Sequence, residues 1–234
     1  GDGSNIISIN DGGDGLINAS EASNLLFSGQ LESGATLNSL SISDGDSTQA
    51  VAAGEINVDG SGVITVTGQS VSGLNDGILT VTLNITDVAG NTGNIIDTAT
   101  LDTVLDTDGD SQIASLGGLT NDTGTEGDFI TSDTTLLITG TLDLDDGNSL
   151  SVIFNGATYT IAAPELTIDG AGNWALNMTG TVLTNGTYPL VIRVTDVAGN
   201  TVESRQDIVI DTTAPSTGDG SNIISINDGG DGLI

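Results

Sequence analysis

Two hundred and thirty-four residues carry 32 acidic side chains against 2 basic ones (Arg193 and Arg205), a formal net charge of −30, with no lysine, histidine or cysteine. Disulfides, thiolate or histidine catalysis and zinc-finger sites are thereby excluded. Nucleic acid is repelled, and no apolar run of about 18 residues exists to insert into a membrane. A hydrophobic share of 36%, set as short Ile, Leu and Val runs among 34 glycines, describes a folded chain and not an acidic disordered tail.

In chain order, strand-like runs are predicted near 4–9, 24–31, 37–43, 50–58, 62–67, 77–86 and 92–101. Asn-Asp-Gly, Asp-Gly and Ala-Gly-Asn turn signals separate them. Period-2 alternation is clear in Ile64-Thr65-Val66-Thr67 and from Leu79 to Leu83. One short helical turn is allowed at 19–24, and helical periodicity is sustained nowhere. No charged-then-apolar leader opens the sequence, so any export signal is expected outside it.

Repetition organises the chain. GDGSNIISINDGGDGLI at 1–17 returns letter for letter at 218–234, an offset of 218 − 1 = 217 residues. Within that period TDVAGNT at 86–92 recurs at 195–201, and Leu101-Asp102-Thr103 matches Ile210-Asp211-Thr212, both at an offset of 109. The offset drifts to 114 where GDGLIN at 13–18 meets GDFITS at 127–132, as two homologous domains with small loop insertions require. Each is close to the ~100 residues of an immunoglobulin-like sandwich. The expected fold is therefore all-β, two tandem immunoglobulin-like antiparallel sandwiches arranged end to end. Domain 1 is expected at 1–103 and domain 2 at 104–213, including an acidic linker at 102–110. Residues 214–234 then hold a linker and the first strand of the next copy. Tyr188 opens the penultimate strand of domain 2, where sandwiches place a tyrosine corner, and Leu79 takes that place in domain 1. Trp174 and Phe154 are expected in the core.

The acidic set is lopsided, 26 Asp against 6 Glu. Helical surfaces favour Glu, whereas Asp suits turns and is a short oxygen ligand for calcium. The linker, the loop after the second strand and the TDVAGN turn lie at one end of a sandwich. Asp102, Asp106, Asp108, Asp143 and Asp196 are thus expected to converge at the junction of the domains, Asp2, Glu32 and Asp87 at the entrance to domain 1, and Asp211 with Asp219 at the exit from domain 2. Two unit charges 4 Å apart repel by about 4 kcal/mol at an effective dielectric near 20. Aspartates with pKa values near 3.9 stay ionised at neutral pH. With almost no basic residues to offset them, such groups call for cations. Calcium, which accepts 6–8 oxygens in irregular geometry, suits them better than magnesium. A second set follows the first strand of each domain: Asp11 and Asp14, then Asp122 and Asp128 with Glu126 between them. Isolated Asp59, Asp76 and Asp169 read as ordinary turns. Asp106-x-Asp108-x-Asp110 copies the start of an EF-hand, but Ser111 replaces its glycine and Gly117 its glutamate, so that motif is rejected.

TDVAGNT at both sites, VIDTTAP at 209–215 and NDTGTEGDFITSDTTLLITGTLD at 121–143 resemble bacterial immunoglobulin-like repeats, most of all the extender domains of giant repeats-in-toxin adhesins of Gram-negative bacteria. The resemblance covers domain 2 throughout and domain 1 more loosely. It implies a non-catalytic spacer, secreted by a type I system, held at the bacterial surface through other regions and serving attachment and biofilm formation. Calcium in its linkers would stiffen the chain, with linker ligands at Asp102, Asp143 and Asp196. The implied partners are neighbouring extender domains of the same chain, the chain otherwise being monomeric. The alternative is a ligand- or glycan-binding adhesive module, which the six aromatic residues, mostly in core-like positions, disfavour. No base, nucleophile or pocket-forming insertion points to an enzyme.

Overall fold

The computed structural model describes residues 5–106, 113–144 and 148–215, and its sheets fall into two sets with one strand order. The first set is built from β1 (Ile6–Asn10), β2 (Leu16–Ile17), β3 (Leu25–Gln30), β4 (Thr36–Ser43), β5 (Thr48–Ala50), β6 (Ile56–Val58), β7 (Val63–Gln69), β8 (Gly77–Thr86) and β9 (Thr92–Leu101), with a short helix α1 (Ala19–Ala22) after β2. They form a four-stranded sheet, β1-β3-β7-β6, and a five-stranded one, β2-β9-β8-β4-β5. All pairs are antiparallel except β2 with β9, where Leu16 and Ile17 lie beside Thr100 and Leu101.

Pattern explains the packing. Along β8, Leu79, Val81, Leu83 and Ile85 point into the core while Thr80, Thr82, Asn84 and Thr86 face out, the period of two that a half-buried strand demands. They meet Ile7, Ile9, Phe27, Ile64 and Val66 from the opposing sheet in one hydrophobic cluster. The strand expected across 50–58 is two strands, since Ala53–Glu55 winds into a 3-10 turn between β5 and β6. Ala52, Ala53 and Gly54 offer no β-branched side chain to hold the chain extended there. The two-residue β2 was too short to show a period.

The second set repeats the plan: β10 (Ala114–Leu119), β11 (Ile130–Thr131), β12 (Leu137–Leu142), β13 (Ser149–Phe154), β14 (Ala157–Thr160), β15 (Leu166–Ile168), β16 (Asn173–Asn177), β17 (Gly186–Thr195) and β18 (Thr201–Ile210). Their sheets are β10-β12-β16-β15 and β11-β18-β17-β13-β14, with β11 again parallel to β18. Each half is an immunoglobulin-like β-sandwich. Trp174 and Phe154 are buried as expected, and Trp174 Nε1 donates to the Thr141 carbonyl at 3.1 Å. Gly140 makes room for the indole: a Cβ there would meet the Trp174 ring and the Ser115 carbonyl. Tyr188 forms the tyrosine corner, its hydroxyl donating to Thr184 O at 3.0 Å and accepting from Thr184 N at 3.1 Å. Leu79 sits in the core of the first half instead.

Packing divides the chain into two compact units whose borders differ from the sandwich borders. Of the described residues, the first takes those up to Ala114 together with those within Leu142–Leu150 and Arg193–Glu203; the second takes Ser115–Thr141, Ser151–Ile192 and those from Ser204 on. The TDVAGNT turn at 195–201 and the segment around Asp143 thus belong to the same unit as Asp102.

Candidate functional site

Turns hold most of the aspartates. In both TDVAGN copies the chain reverses over five residues, with Gly90 and Gly199 at φ of +87° and +91°, a conformation that favours glycine. Asp87 Oδ1 accepts from Asn91 N and Asp87 Oδ2 from Asn91 Nδ2, each at 2.8 Å. Asp196 makes the same pair with Asn200, also at 2.8 Å. Asp169 and Asn173 repeat the arrangement at 2.9 Å, and Asp59 does likewise through Ser61 and Val63. These bonds favour the ionised form: the Asn91 amide beside Asp87 holds its carboxyl below the ordinary aspartate range, and the Asn173 amide does the same to Asp169. Asp76, expected as an ordinary turn, reaches further. Its carboxylate accepts from Thr103 N at 2.9 Å and Thr103 Oγ1 at 2.8 Å, anchoring the start of the linker.

The loops after the first strands are likewise closed on themselves. Asp11 Oδ1 accepts from Gly13 N, Asp14 Oδ1 from Leu16 N and Asp128 Oδ1 from Ile130 N. Asp122 spends Oδ2 on Gly127 N at 2.8 Å and Phe129 N at 3.3 Å, while its Oδ1 is buried with no hydrogen-bond partner. Asp211 Oδ1 accepts from Thr213 N. At the entrance end the turn at Glu32 and the 87–91 turn are neighbours, because a Cβ on Gly34 would meet Val88 Cγ1. Asp2, Asp108 and Asp219 lie outside the described residues. Among the described residues no group of three or more carboxylates lies close enough to hold one ion.

The segments expected at the junction do come together within the first unit. The Asp102 N–H donates to Ile17 O at 2.9 Å and the Asp143 N–H to Ile113 O at 2.8 Å. Asn200 Nδ2 donates both to the Asp102 carbonyl and to Asp196 Oδ2, each at 2.8 Å, and Asn148 Nδ2 reaches the Asp143 carbonyl at 3.3 Å. Ser149 Oγ, next to Asn148, bonds the carbonyl of Thr195, next to Asp196. Asp196, Asn148 and Asn200 are buried, with 7%, 8% and 7% of their surface exposed, which marks this as an interior polar site and not a solvated face. Oδ1 of Asn148 is buried there without a hydrogen-bond partner. Asp102 and Asp143 each keep one carboxylate oxygen out of solvent, and Asp106 is half-buried on the same linker.

Such a set offers oxygen atoms alone, the chemistry that calcium takes and that soft metals do not. The fit is best at Asp102, Asp143 and Asn148. Asp196 has already committed both carboxylate oxygens to Asn200, Asp87 bonds within its own turn, and Asp11, Asp14 and Asp128 each commit one oxygen to their own loops. Sequence reasoning passed over Asn148 and Asn200 because it searched for charge. Asn200 carried a usable signal, since it ends a motif that occurs twice.

Residues 113–212 match the family of bacterial Ig-like domains. The first half repeats the strand order of that stretch. No match was found among curated protein sequences. Similar solved structures include a calcium-stabilised adhesin with which an Antarctic bacterium reaches out and binds ice, at 22% identity and a TM-score of 0.44, covering 88% of this chain and 48% of that one. A second belongs to a 1.5-MDa bacterial ice-binding adhesin, at 24% identity and a TM-score of 0.42, covering 88% and 63%. A third is a tetra-tandem repeat in the extending region of a large adhesion protein, at 18% identity and a TM-score of 0.32, covering 90% and 50%. The chain thus spans about half to two-thirds of these structures.

Proposed function

We propose that this chain is a calcium-stiffened spacer in a long bacterial cell-surface adhesin, a non-catalytic module that sets distance and stiffness for a ligand-binding region elsewhere. The observation that carries the reading is the set of buried side-chain oxygens on Asp102, Asp143 and Asn148, on segments that hydrogen bonds tie together within the first unit, in a chain that repeats 17 residues letter for letter. Repetition without variation suits a structural unit whose length matters more than its surface. The match of 113–212 to bacterial Ig-like domains and the resemblance of its motifs to extender repeats agree with it.

Calcium supplies positive charge that offsets the repulsion among the linker carboxylates. In the reading proposed here, Asp102 and Asp143 provide charge and Asn148 a neutral oxygen, while Asn200 and Asp196 shape the turn beside them. Extracellular sites of this kind bind calcium with Kd values of roughly 10⁻⁴ to 10⁻³ M. At about 10 Kd of free ion, one site adds about 1.4 kcal/mol of stability. The module would then be weakly held together where calcium is scarce and firm outside the cell. Calcium titration against thermal unfolding, with magnesium as control, tests the binding, and small-angle scattering in calcium and in chelator tests the stiffening. A maximum dimension and a melting curve that calcium leaves unchanged would remove the proposal.

A further inference from the structure

A helix of four residues starts with more N–H groups than it can satisfy itself. In α1, Ala22 N–H reaches Asn18 O at 2.8 Å, and Asn18 Oδ1 caps the N–H groups of Ser20 and Glu21 at 2.9 and 3.0 Å. Glu21 Oε2 accepts in turn from Asn18 N at 3.0 Å. That capping box leaves the N–H of Ala19, and Asn200 Oδ1 accepts it at 2.8 Å. Asn18, its oxygen committed to the cap, donates Nδ2 to the Ala198 carbonyl at 3.1 Å. With Nδ2 shared between Asp102 O and Asp196 Oδ2, Asn200 has used both ends of its amide.

We propose that these amide contacts form a latch that holds the 196–200 turn against Asn18, Ala19 and Asp102 without any metal ion, with Asn200 as its positioning residue. The groups that meet are neutral amides and backbone atoms, so nothing in the latch depends on neutralising the carboxylates around it. Asn200 is buried and Asn18 half-buried, where hydrogen bonds are shielded from the competition of water. A consequence, which rests on the spacer reading, is that Asn200 holds Asp102 beside Asp196 before an ion arrives. The corresponding end of the second half is built differently. Ser132 and Asp133 stand where Asn18 and Ala19 do, and their N–H groups are already taken by Thr123 Oγ1 at 2.7 Å and Thr131 Oγ1 at 3.0 Å. Neither of these two N–H groups is left over for an incoming asparagine.

The test uses the whole chain, which has no cysteine of its own. Spin labels on Asp46→Cys and on the exposed Val197→Cys, both within the first unit, report a distance distribution by electron paramagnetic resonance, and NMR reports hydrogen exchange at the Ala19 amide. Both are read in chelator for the parent chain, Asn200→Ala, Asn18→Ser and Asn91→Ala. Serine still caps the helix but lacks the Nδ2 donor, so Asn18→Ser stands in if Asn200→Ala does not fold. Asn91→Ala removes the matching side-chain bond to the aspartate of its own turn and nothing else, which separates turn strength from latching. Expected is a broader distribution for Asn200→Ala and Asn18→Ser, with Ala19 exchanging about tenfold faster in Asn200→Ala, and neither change in Asn91→Ala. An unchanged distribution and unchanged Ala19 exchange in both latch variants would overturn the latch. The response of the parent chain to added calcium is read separately, and its absence would count against the spacer reading alone.

Discussion

The same seven residues, TDVAGNT, close a turn at 86–92 and again at 195–201, and only their surroundings differ. Inside each turn the aspartate grips the asparagine four residues on with nearly identical geometry. Outside it, Asn91 is exposed, whereas Asn200 is buried against Ala19 and Asp102. Local sequence therefore fixes the turn, and what the turn does is decided by the polar atoms brought to meet it. The halves differ in the same way at their cores. One order of strands is filled by Leu79 and a single aromatic, Phe27, in the first half. The second buries both Trp174 and Phe154, the Phe154 ring 6.0 Å from that of Tyr188.

The largest effects should come from those cores. Trp174→Ala removes the biggest buried side chain of the second half and is expected to cost about 3–5 kcal/mol, seen in calorimetry as an earlier transition for one half while the other stays in place. Gly140→Ala attacks the same spot from the opposite side, since the new methyl meets backbone and indole together; a loss of about 1–3 kcal/mol is expected from such overpacking. If both substitutions moved a single shared transition, the two halves would not be melting separately. Next comes Asp196→Ala. It takes an acceptor from both the backbone N–H and the side-chain amide of the buried Asn200, for about 1–3 kcal/mol, and Asp87→Ala at the exposed twin should cost less in the same denaturant titration. Equal losses would mean that burial of the second turn adds nothing.

A subtler contrast joins Asp76 and Asn185, which occupy matching places 109 residues apart. Asp76 divides its two oxygens between Thr103 N and Thr103 Oγ1, while Asn185 Oδ1 alone accepts from both Thr212 N and Thr212 Oγ1, at 3.0 and 2.6 Å. One amide oxygen suffices for the anchor. Asp76→Asn is therefore expected to shift stability by under about 0.5 kcal/mol, and Asp76→Ala by about 1 kcal/mol, both by thermal melting at neutral pH.

What could be read from the sequence follows from this division between local and distant causes. Alternation along 77–86, the Asn-Asp-Gly and Ala-Gly-Asn turns, the short helix after Ile17 and the tyrosine at 188 each depend on neighbours within a few residues, and each forms where the pattern puts it. The 109-residue internal repeat also carried the matching topology of the halves. The candidate site was only partly legible. Charge pattern found the segments that meet at Asp102, Asp143 and Asp196, because linker, loop and turn share one end of a sandwich. It could not show that Asp196 spends both oxygens on Asn200, that Asp76 reaches Thr103, or that a neutral side chain, Asn148, supplies a buried oxygen. Those outcomes depend on hydrogen-bond partners far along the chain, which no local count of carboxylates contains.

The smallest effect concerns acid. Asp87 and Asp169 are held below the ordinary aspartate range, first of all by the side-chain amides of Asn91 and Asn173. In the unfolded chain these aspartates bind protons at about pH 3.9. The bonds therefore contribute stability that is present above that pH and lost as pH falls through the depressed folded values. Removing the amide in Asn91→Ala or Asn173→Ala shrinks that contribution, so each variant is expected to unfold at a slightly less acidic pH than the parent. Trp174 fluorescence suits the second case, the indole being next in sequence to residue 173. The measurement must be a difference between variant and parent at one ionic strength. Protonation also relieves the self-repulsion of a chain with a net charge of −30, which favours the folded state as the acid is added. That relief is common to both proteins and cancels in the difference, leaving the turn bond alone. Coincident acid curves would show that these asparagines bind the protonated and ionised aspartate equally well.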